Sequence, residues 1–165
     1  MRTIRLLALS SLLAATAFVS FGPPWISIEY PGNPYDSNTR DAYLYVHTFH
    51  HAAPVSNPVS GTAEGLVAGA RRTISLEFKT TSRPGVYALR KQWPADGLWT
   101  LVIGATQGEG EHNTAWAIVE LGSDGDVSKV TVPTTRANGY VVPALVAMTE
   151  VERALRARAG VLASR

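Results

Sequence analysis

Short runs of alternating apolar and polar residues fill most of the chain between residues 25 and 132. The clearest run is residues 72–80, where Ile74, Leu76 and Phe78 alternate with polar side chains. A period of two places such residues on one face, which is typical of a half-buried β-strand. Similar runs, separated by turn residues, cover residues 25–30, 42–50, 59–67, 86–93, 98–104, 114–122 and 127–132. The pattern predicts an all-β, antiparallel sandwich of about seven or eight strands.

Two local features support this order of strands. Trp99, Leu101 and Ile103 are spaced two apart, so we expect them to share the buried face of one strand. Asp124 and Gly125 separate two alternating runs, and both residue types tolerate the positive φ that a type I′ hairpin turn demands. A hairpin is therefore predicted at this position.

Helical spacing occurs only near the end of the sequence. Residues 144–159 are rich in Ala, Leu, Glu and Arg, which are good helix formers, and Pro143 suits a first helical turn. Glu152 and Arg156 are spaced as an i,i+4 pair. The apolar positions at helical spacing are Leu145, Met148, Leu155, Ala159 and Leu162. We predict a helix over residues 143–160, packed on or extending from a β-sandwich domain at residues 25–133.

Motifs in the strand region resemble a known class of exported domain. They are T-I-S-L-E-F at residues 73–78, P-G-V-Y-A-L-R at residues 84–90 and W-P-x-x-G-x-W-T-L at residues 93–101. This pattern is similar to immunoglobulin-like (prealbumin-like) sandwiches of the YtkA-like and carboxypeptidase-regulatory, or transthyretin-like, kind. The resemblance implies that the P-G-x-Y and G-x-W-x-L strands pair as neighbours. It supports the fold more than any function.

The first 17 residues have the layout of a secretory signal peptide. Arg2 and Arg5 precede an apolar run, and Ala15-Thr16-Ala17 supplies a small-x-small cleavage pattern. An uncleaved anchor is the alternative, because residues 4–21 approach the length of a membrane span. We expect a signal peptide at residues 1–17, no membrane span after its cleavage, and a periplasmic or secreted protein.

Removal of residues 1–17 changes the charge available for binding. Arg2 and Arg5 are the only charged residues there, so the formal net charge falls from +2 to 0. Nucleic-acid binding needs a concentrated basic face, so we expect no nucleic-acid partner. The sequence contains no cysteine, which excludes disulfides, thiolate metal sites and cysteine nucleophiles.

The four histidines are the candidate metal ligands. They are His47, His50 and His51 near the end of one predicted strand, and His112 in a glycine-rich loop. Neutral imidazole binds copper and zinc, so the predicted site is a copper or zinc site formed by His47, His51 and His112. His47 and His50 lie on opposite faces of a regular strand, so a bulge or strand end must bring His51 to His47. The alternative is a strand end with solvent-exposed or packed histidines.

The loop at residues 104–113 also carries Glu109 and Glu111, whose carboxylates would add oxygen ligands. Its spacing matches no calcium-binding loop. A solvated hairpin loop is the other interpretation. If the histidine site exists, this loop must fold back beside the end of the strand that carries His47.

Catalytic motifs are missing from the sequence. There is no G-x-S-x-G elbow, H-E-x-x-H, Walker or G-x-G-x-x-G pattern. Paired carboxylates stay open as an alternative, since side chains distant in sequence can converge; the candidates are Glu29, Asp36, Asp41 and Glu64. We predict that the protein is not an enzyme and has no resident cofactor unless it binds copper or zinc.

Three hypotheses for the function follow. The first is a non-catalytic exported interaction or structural module with an unknown protein partner in the cell envelope. The second is a periplasmic copper- or zinc-binding protein that uses the histidines. The third is a carbohydrate-binding accessory module with an exposed tyrosine strip, although packing beneath a loop also explains these residues; they are Tyr30, Tyr35, Tyr43 and Tyr45.

Overall fold

The computed structural model describes residues 22–110 and 112–163, and the predicted signal peptide lies outside these residues. Within them the chain forms twelve strands and one helix. All strand pairs are antiparallel. The predicted all-β class with one C-terminal helix is therefore confirmed.

Two sheets make up the body of the molecule. Sheet A has the spatial order β1 (Pro24–Glu29), β2 (Leu44–His50), β7 (Val86–Leu89) and β6 (Phe78–Thr80), with the short β3 (Ala53–Pro54) paired to β2. Sheet B has the order β10 (Val127–Thr131), β9 (Thr114–Leu121), β8 (Leu98–Thr106), β4 (Val59–Val67) and β5 (Ala70–Ser75). A separate hairpin contains β11 (Thr134–Ala137) and β12 (Tyr140–Pro143), and the helix α1 spans Met148–Ala163.

The core lies between the inner faces of sheets A and B. Trp99, Leu101 and Ile103 all point into it and are at most 3% exposed, so their predicted shared face is confirmed. Side chains from both sheets complete this core, among them Ile26, Leu44, Val46, Leu89, Ala117 and Val119. Alternation along β8 and β9 thus decides which side chains are buried between the sheets.

The strand predicted over residues 72–80 is divided in two. β5 ends at Ser75 in sheet B, and β6 begins at Phe78 in sheet A. Between them, the backbone N–H of Glu77 donates to the side-chain Oε1 of Gln92 at 2.9 Å, and Gln92 Nε2 donates to the Glu77 carbonyl at 2.8 Å. A side chain thus takes the place of a strand partner, and the chain crosses from one sheet to the other.

The strand pairing implied by the family resemblance is not observed. β7, which follows Pro84-Gly85, pairs with β2 and β6 in sheet A. β8, which carries Trp99, pairs with β4 and β9 in sheet B. The connection between β7 and β8 runs from sheet A to sheet B, and its Trp93 side chain is buried in the core between the two sheets. The two strands lie in opposite sheets.

Helix α1 covers part of the outer face of sheet B. Its contacts are with β4 and β8, where Leu155 packs against Leu66 and Leu98. The predicted apolar positions of this helix do not form one buried face, because Leu155 is fully buried while Leu145, Met148 and Leu162 are exposed. This helix is the only one among residues 22–110 and 112–163, and it lacks the length and the apolar character needed to cross a membrane.

The helix begins at Met148 and not at Pro143, because residues 134–143 form a hairpin that the sequence interpretation missed. Asn138 and Gly139 connect its strands with φ values of +50° and +81°. Two positive φ values are the signature of a type I′ turn, for which Asn-Gly is the preferred sequence. The Asn-Gly pair between Thr-Thr-Arg-Ala and Tyr-Val-Val was the signal that would have revealed this hairpin.

The hairpin predicted around Asp124 is formed by β9 and β10, with a different turn from the one expected. Only Gly125 has a positive φ, at +83°, and Asp124 does not. Instead, Asp124 Oδ1 accepts a hydrogen bond from the Asp126 N–H at 3.0 Å, and the Gly125 N–H donates to the Gly122 carbonyl at 3.1 Å. The aspartate side chain therefore shapes a longer turn.

Candidate functional site

His47 lies on the outer face of sheet A and contacts a carboxylate on the neighbouring strand. Its Nε2 is 2.7 Å from Glu29 Oε2, and Arg83 Nη1 lies 3.5 Å from the same oxygen. The imidazole is nearly parallel to the Phe49 ring, with 6.1 Å between centroids. Because Arg83 belongs to the turn between β6 and β7, this group joins three neighbouring segments of sheet A.

His51 is brought beside His50 by the turn that follows β2. His51 and Ala52 have φ values of +48° and +64°, a conformation that costs a residue with a Cβ about 1–2 kcal/mol. The rings of His50 and His51 are 4.3 Å apart between centroids. Gly22 packs on both rings, since its N–H donates to His50 Nε2 at 3.2 Å and a Cβ there would lie 2.5 Å from His51 Cε1.

His112 lies in the loop between β8 and β9, at the same end of the sandwich as His50. The loop lines a pocket together with Pro24, and Pro24 is the strand partner of His50. The Nδ1 of His112 is 3.0 Å from the Pro143 carbonyl oxygen. A carbonyl only accepts hydrogen bonds, so Nδ1 carries the proton, and in the neutral ring Nε2 has a free lone pair.

The three predicted metal ligands thus have different surroundings. His47 contacts Glu29, His51 contacts His50, and His112 contacts Pro143. Among residues 22–110 and 112–163, no three histidine, cysteine, aspartate or glutamate side chains form a group that could hold a metal ion. His47 is on the outer face of sheet A while His112 is on a loop of sheet B, and the copper or zinc site of His47, His51 and His112 stays a prediction.

The end pocket is the concave site nearest to these histidines. It has a volume of about 270 Å³, and we define it by Pro23, Pro24, Gln107, Glu109, His112 and Val142. Gln107 Oε1 is buried and has no hydrogen-bond partner among the described residues. Glu111, the other carboxylate predicted in this loop, lies outside the described residues. The end pocket therefore combines an imidazole and a carboxylate with apolar walls.

The candidate carboxylates are separated by their partners. Glu29 contacts His47, Asp41 pairs with Arg90 at 2.7 Å, and Glu64 is buried on the outer face of sheet B beneath α1. A hydrogen bond from the Thr39 side chain, followed by one from the Asn38 backbone N–H, lowers the pKa of Asp36. Each of these four carboxylates has its own partners, so the contacts do not bring two of them together in one site.

The buried Glu64 is the centre of a charge network, the clamp, which we define as Glu64 together with the partly exposed Arg71 and Glu152. Arg71 Nη2 donates to Glu64 at 2.6 Å, and its Nη1 donates to Glu152 on α1 at 2.5 Å. Burial alone would raise the pKa of Glu64, but hydrogen bonds from Thr62, Thr73 and Arg71 outweigh it and hold the pKa below its usual value. The clamp fastens the helix to sheet B.

Arg158 makes a second attachment of the helix. Its guanidinium donates to the carbonyls of Trp99 and Leu121 and to the hydroxyl of Thr100, and it lies 3.5 Å from a Glu120 oxygen. Burial lowers the pKa of Arg158, and the nearby Glu120 carboxylate opposes that shift. Sequence inspection found neither attachment, because their partners are distant along the chain.

The tyrosines proposed as a carbohydrate strip do not form one exposed surface. Tyr45 is fully buried, whereas Tyr35 is 91% exposed. Tyr43 packs edge-on against Trp93 with 5.2 Å between centroids, and its hydroxyl donates to the Gly125 carbonyl at 2.7 Å. Burial raises the pKa of Tyr43. These contacts match the alternative interpretation, in which most of the tyrosines pack beneath a loop.

Comparison with known proteins adds no relative to this description. No family model, curated protein or solved structure matches the chain.

Proposed function

We propose that the chain is a non-catalytic, exported β-sandwich module that binds a protein partner in the cell envelope. The signal-peptide pattern of residues 1–17 supports export to the periplasm, and the two antiparallel sheets packed on one core support a β-sandwich module. The observation that carries the proposal is the exposed hairpin of β11 and β12.

This hairpin is a two-stranded ribbon outside both sheets. Its base is fixed, because Val142 is buried and the Ala144 N–H donates to the Pro133 carbonyl at 3.0 Å. Its tip is exposed, with Tyr140 75% and Val141 44% accessible to solvent. A ribbon of two strands is marginally stable in water, and additional strands stabilise it.

The free edge of this ribbon is β11. Residues Thr134, Thr135 and Arg136 are all exposed, whereas the base of β12 is buried. In a hairpin with a two-residue turn, the pair beside the turn is hydrogen-bonded and the next pair is not. Ala137 and Tyr140 are the first pair, so the N–H and C=O of Arg136 point away from β12. These groups are placed to pair with an added strand.

The charge on this edge indicates the kind of strand that fits. Arg136 forms no ion pair within residues 22–110 and 112–163. Opposite charges directly across a strand pair are favourable and like charges are unfavourable, so an acidic residue beside Arg136 would favour a docked strand. We infer that the partner protein contributes an extended segment with an acidic residue opposite Arg136.

Site-specific photo-crosslinking in the native host cells, which express the chain and its partner, tests this proposal. A photoreactive amino acid at Tyr140 should give one discrete adduct, and the same group at the exposed Tyr35 should not. The adduct should be lost in Arg136→Pro, which removes the outward N–H, and in Arg136→Glu, which reverses the charge. The crosslinked protein, identified by mass spectrometry, should bind the purified parent chain and should not bind the Arg136→Pro or Arg136→Glu variant.

The folding of each variant provides the control. Arg136→Pro and Arg136→Glu should melt within a few degrees of the parent, because an exposed edge position tolerates both changes. The proposal is contradicted if folded variants with these substitutions keep the adduct, or if labels at Tyr140 and Tyr35 give the same products.

A further inference from the structure

The last turn of α1 carries apolar side chains beyond the point where the helix is attached to sheet B. Leu155 packs on this sheet, and Arg158 is bonded to β8 and β9. Val161 and Leu162 follow, and they remain 55% and 44% exposed. Neighbouring exposed apolar side chains that line a concave surface mark a candidate binding site.

These side chains form one wall of a groove between α1 and the β9–β10 hairpin. We define this helix groove by its apolar lining and its one charged residue, which are Leu98, Leu121, Ala157, Arg158, Val161 and Leu162. Its volume is about 420 Å³, within the range of about 300–1,000 Å³ that is usual for small-molecule sites. Leu98 and Leu121 line it from sheet B and are almost completely buried, so this wall belongs to the packed body of the protein.

The polar groups that line the helix groove already have partners. Arg158 donates to two backbone carbonyls and a threonine hydroxyl, and it lies 3.5 Å from a Glu120 oxygen. The Ser128 hydroxyl donates to the Glu120 carbonyl at 2.9 Å, and the Gly122 N–H is bonded within the β9–β10 turn at 2.8 Å. Ser123, the remaining polar lining residue, is exposed to water. A ligand therefore gains little from charge or hydrogen bonding here, and burial of apolar surface is the favourable contribution.

A protein surface is the competing occupant of the helix groove. A stable protein–protein interface buries about 800 Å² on each partner and involves about 20–30 residues a side. Nine of the described residues line the groove. That number suits one narrow chain, and it is too small for a second copy of this protein or for a partner domain.

We propose that the helix groove binds the single hydrocarbon chain of a lipid monomer, with the polar head of the lipid outside in water. The chain lies between Leu98 and Leu121 on one side and Ala157, Val161 and Leu162 on the other. The clamp and Arg158 hold α1 to sheet B, so the two walls are arranged before the chain binds. The helix groove is separate from the β11 edge, so the two proposals stand or fall independently.

Nuclear magnetic resonance titration of the purified protein with alkyl maltosides, kept below their critical micelle concentrations, tests the proposal. Octyl, nonyl and decyl maltoside share one uncharged head and differ by one methylene at each step. Each added methylene that enters the groove should tighten binding roughly fourfold, and maltose alone should not bind. Saturable shifts should appear at the methyl groups of Leu98, Val161 and Leu162.

A variant that fills the groove separates recognition from folding. Ala157→Leu adds bulk from the helix side, and displacing two methylenes of the chain would weaken decyl maltoside binding roughly sixteenfold. Ala154→Leu is the matched control, because it makes the same change at an exposed helix position that does not line the groove. Ala157→Ser keeps the space open and should bind nearly as well as the parent. All three variants should melt within a few degrees of the parent, since both positions are exposed.

Four results would overturn the proposal. Equal affinities for octyl and decyl maltoside would show that the chain does not enter the groove. Full binding by folded Ala157→Leu would place the ligand elsewhere. Self-association in sedimentation velocity that decyl maltoside and Ala157→Leu both abolish would assign the groove to a second copy of the protein. Binding to phosphatidylcholine vesicles that persists in Ala157→Leu would assign Val161 and Leu162 to a membrane surface.

Discussion

Arg71→Ala would leave the buried Glu64 carboxylate without the cation that the clamp provides. The Glu64 side chain is only 3% exposed, and Arg71 is the guanidinium that donates to it at 2.6 Å. Breaking a buried ion pair by removing one partner costs about 3–5 kcal/mol. Thr62 and Thr73 still donate to Glu64, so we expect a loss of roughly 3 kcal/mol in the free energy of unfolding.

Urea denaturation followed by tryptophan fluorescence measures this loss. Arg72→Ala is the matched control, because Arg72 is the adjacent arginine on β5, is exposed, and forms no ion pair within the described residues. An exposed substitution of this kind should change the free energy of unfolding by less than about 0.5 kcal/mol. If the two variants differ by less than that amount, the clamp does not stabilise the fold.

The pH dependence of the same comparison gives a second check. In the parent chain the pKa of Glu64 is lowered by folding, so its stabilising contribution is present above the unfolded pKa of about 4.3 and is lost as the pH falls through the folded value. Without Arg71, the hydrogen bond and the charge that help to lower this pKa are lost, so the folded pKa rises toward the unfolded value and less of the stabilising contribution remains. The deficit of Arg71→Ala should therefore be largest near neutral pH and shrink toward pH 4.

Three further substitutions test the packing. Trp99→Ala should lower the free energy of unfolding by roughly 3–5 kcal/mol, because the side chain is buried in the core, and an unchanged melting temperature would contradict that role. Leu155→Ala should cost about 2–5 kcal/mol and loosen α1, which hydrogen exchange of the helix would report. Gly125→Val should destabilise the β9–β10 hairpin, since its φ of +83° excludes a β-branched residue; thermal melting equal to the parent would refute this.

Much of the fold could be predicted from local patterns along the sequence. The face shared by Trp99, Leu101 and Ile103 follows from a period of two, which depends only on the strand conformation of each residue. The Glu152–Arg156 pair was equally local, and the structure contains it at 2.8 Å. Asn138-Gly139 is a further local signal, because this dipeptide predicts the type I′ turn that joins β11 and β12.

The crossing between the sheets and the separation of the histidines depend on contacts between residues that are distant in the sequence. A period of two gives a strand its faces, but the crossing of the chain at Glu77 depends on Gln92, fifteen positions away. The separation of the histidines likewise depends on which sheet each segment joins. His47 and His112 are recognisable as metal-ligand types in the sequence, yet the pairing of β1 with β2 places Glu29 beside His47, and the β11–β12 hairpin places Pro143 beside His112.

Helix α1 shows the physical reason most clearly. Its helical propensity resides in residues 148–163, but the choice of buried face belongs to the surface on which it lies. Leu155 is buried because Leu66 and Leu98 form an apolar patch there, while Leu162 of the same helix remains exposed. Local propensity therefore predicts a helix near this point, whereas long-range packing and the clamp to Glu152 determine where and how the helix is attached.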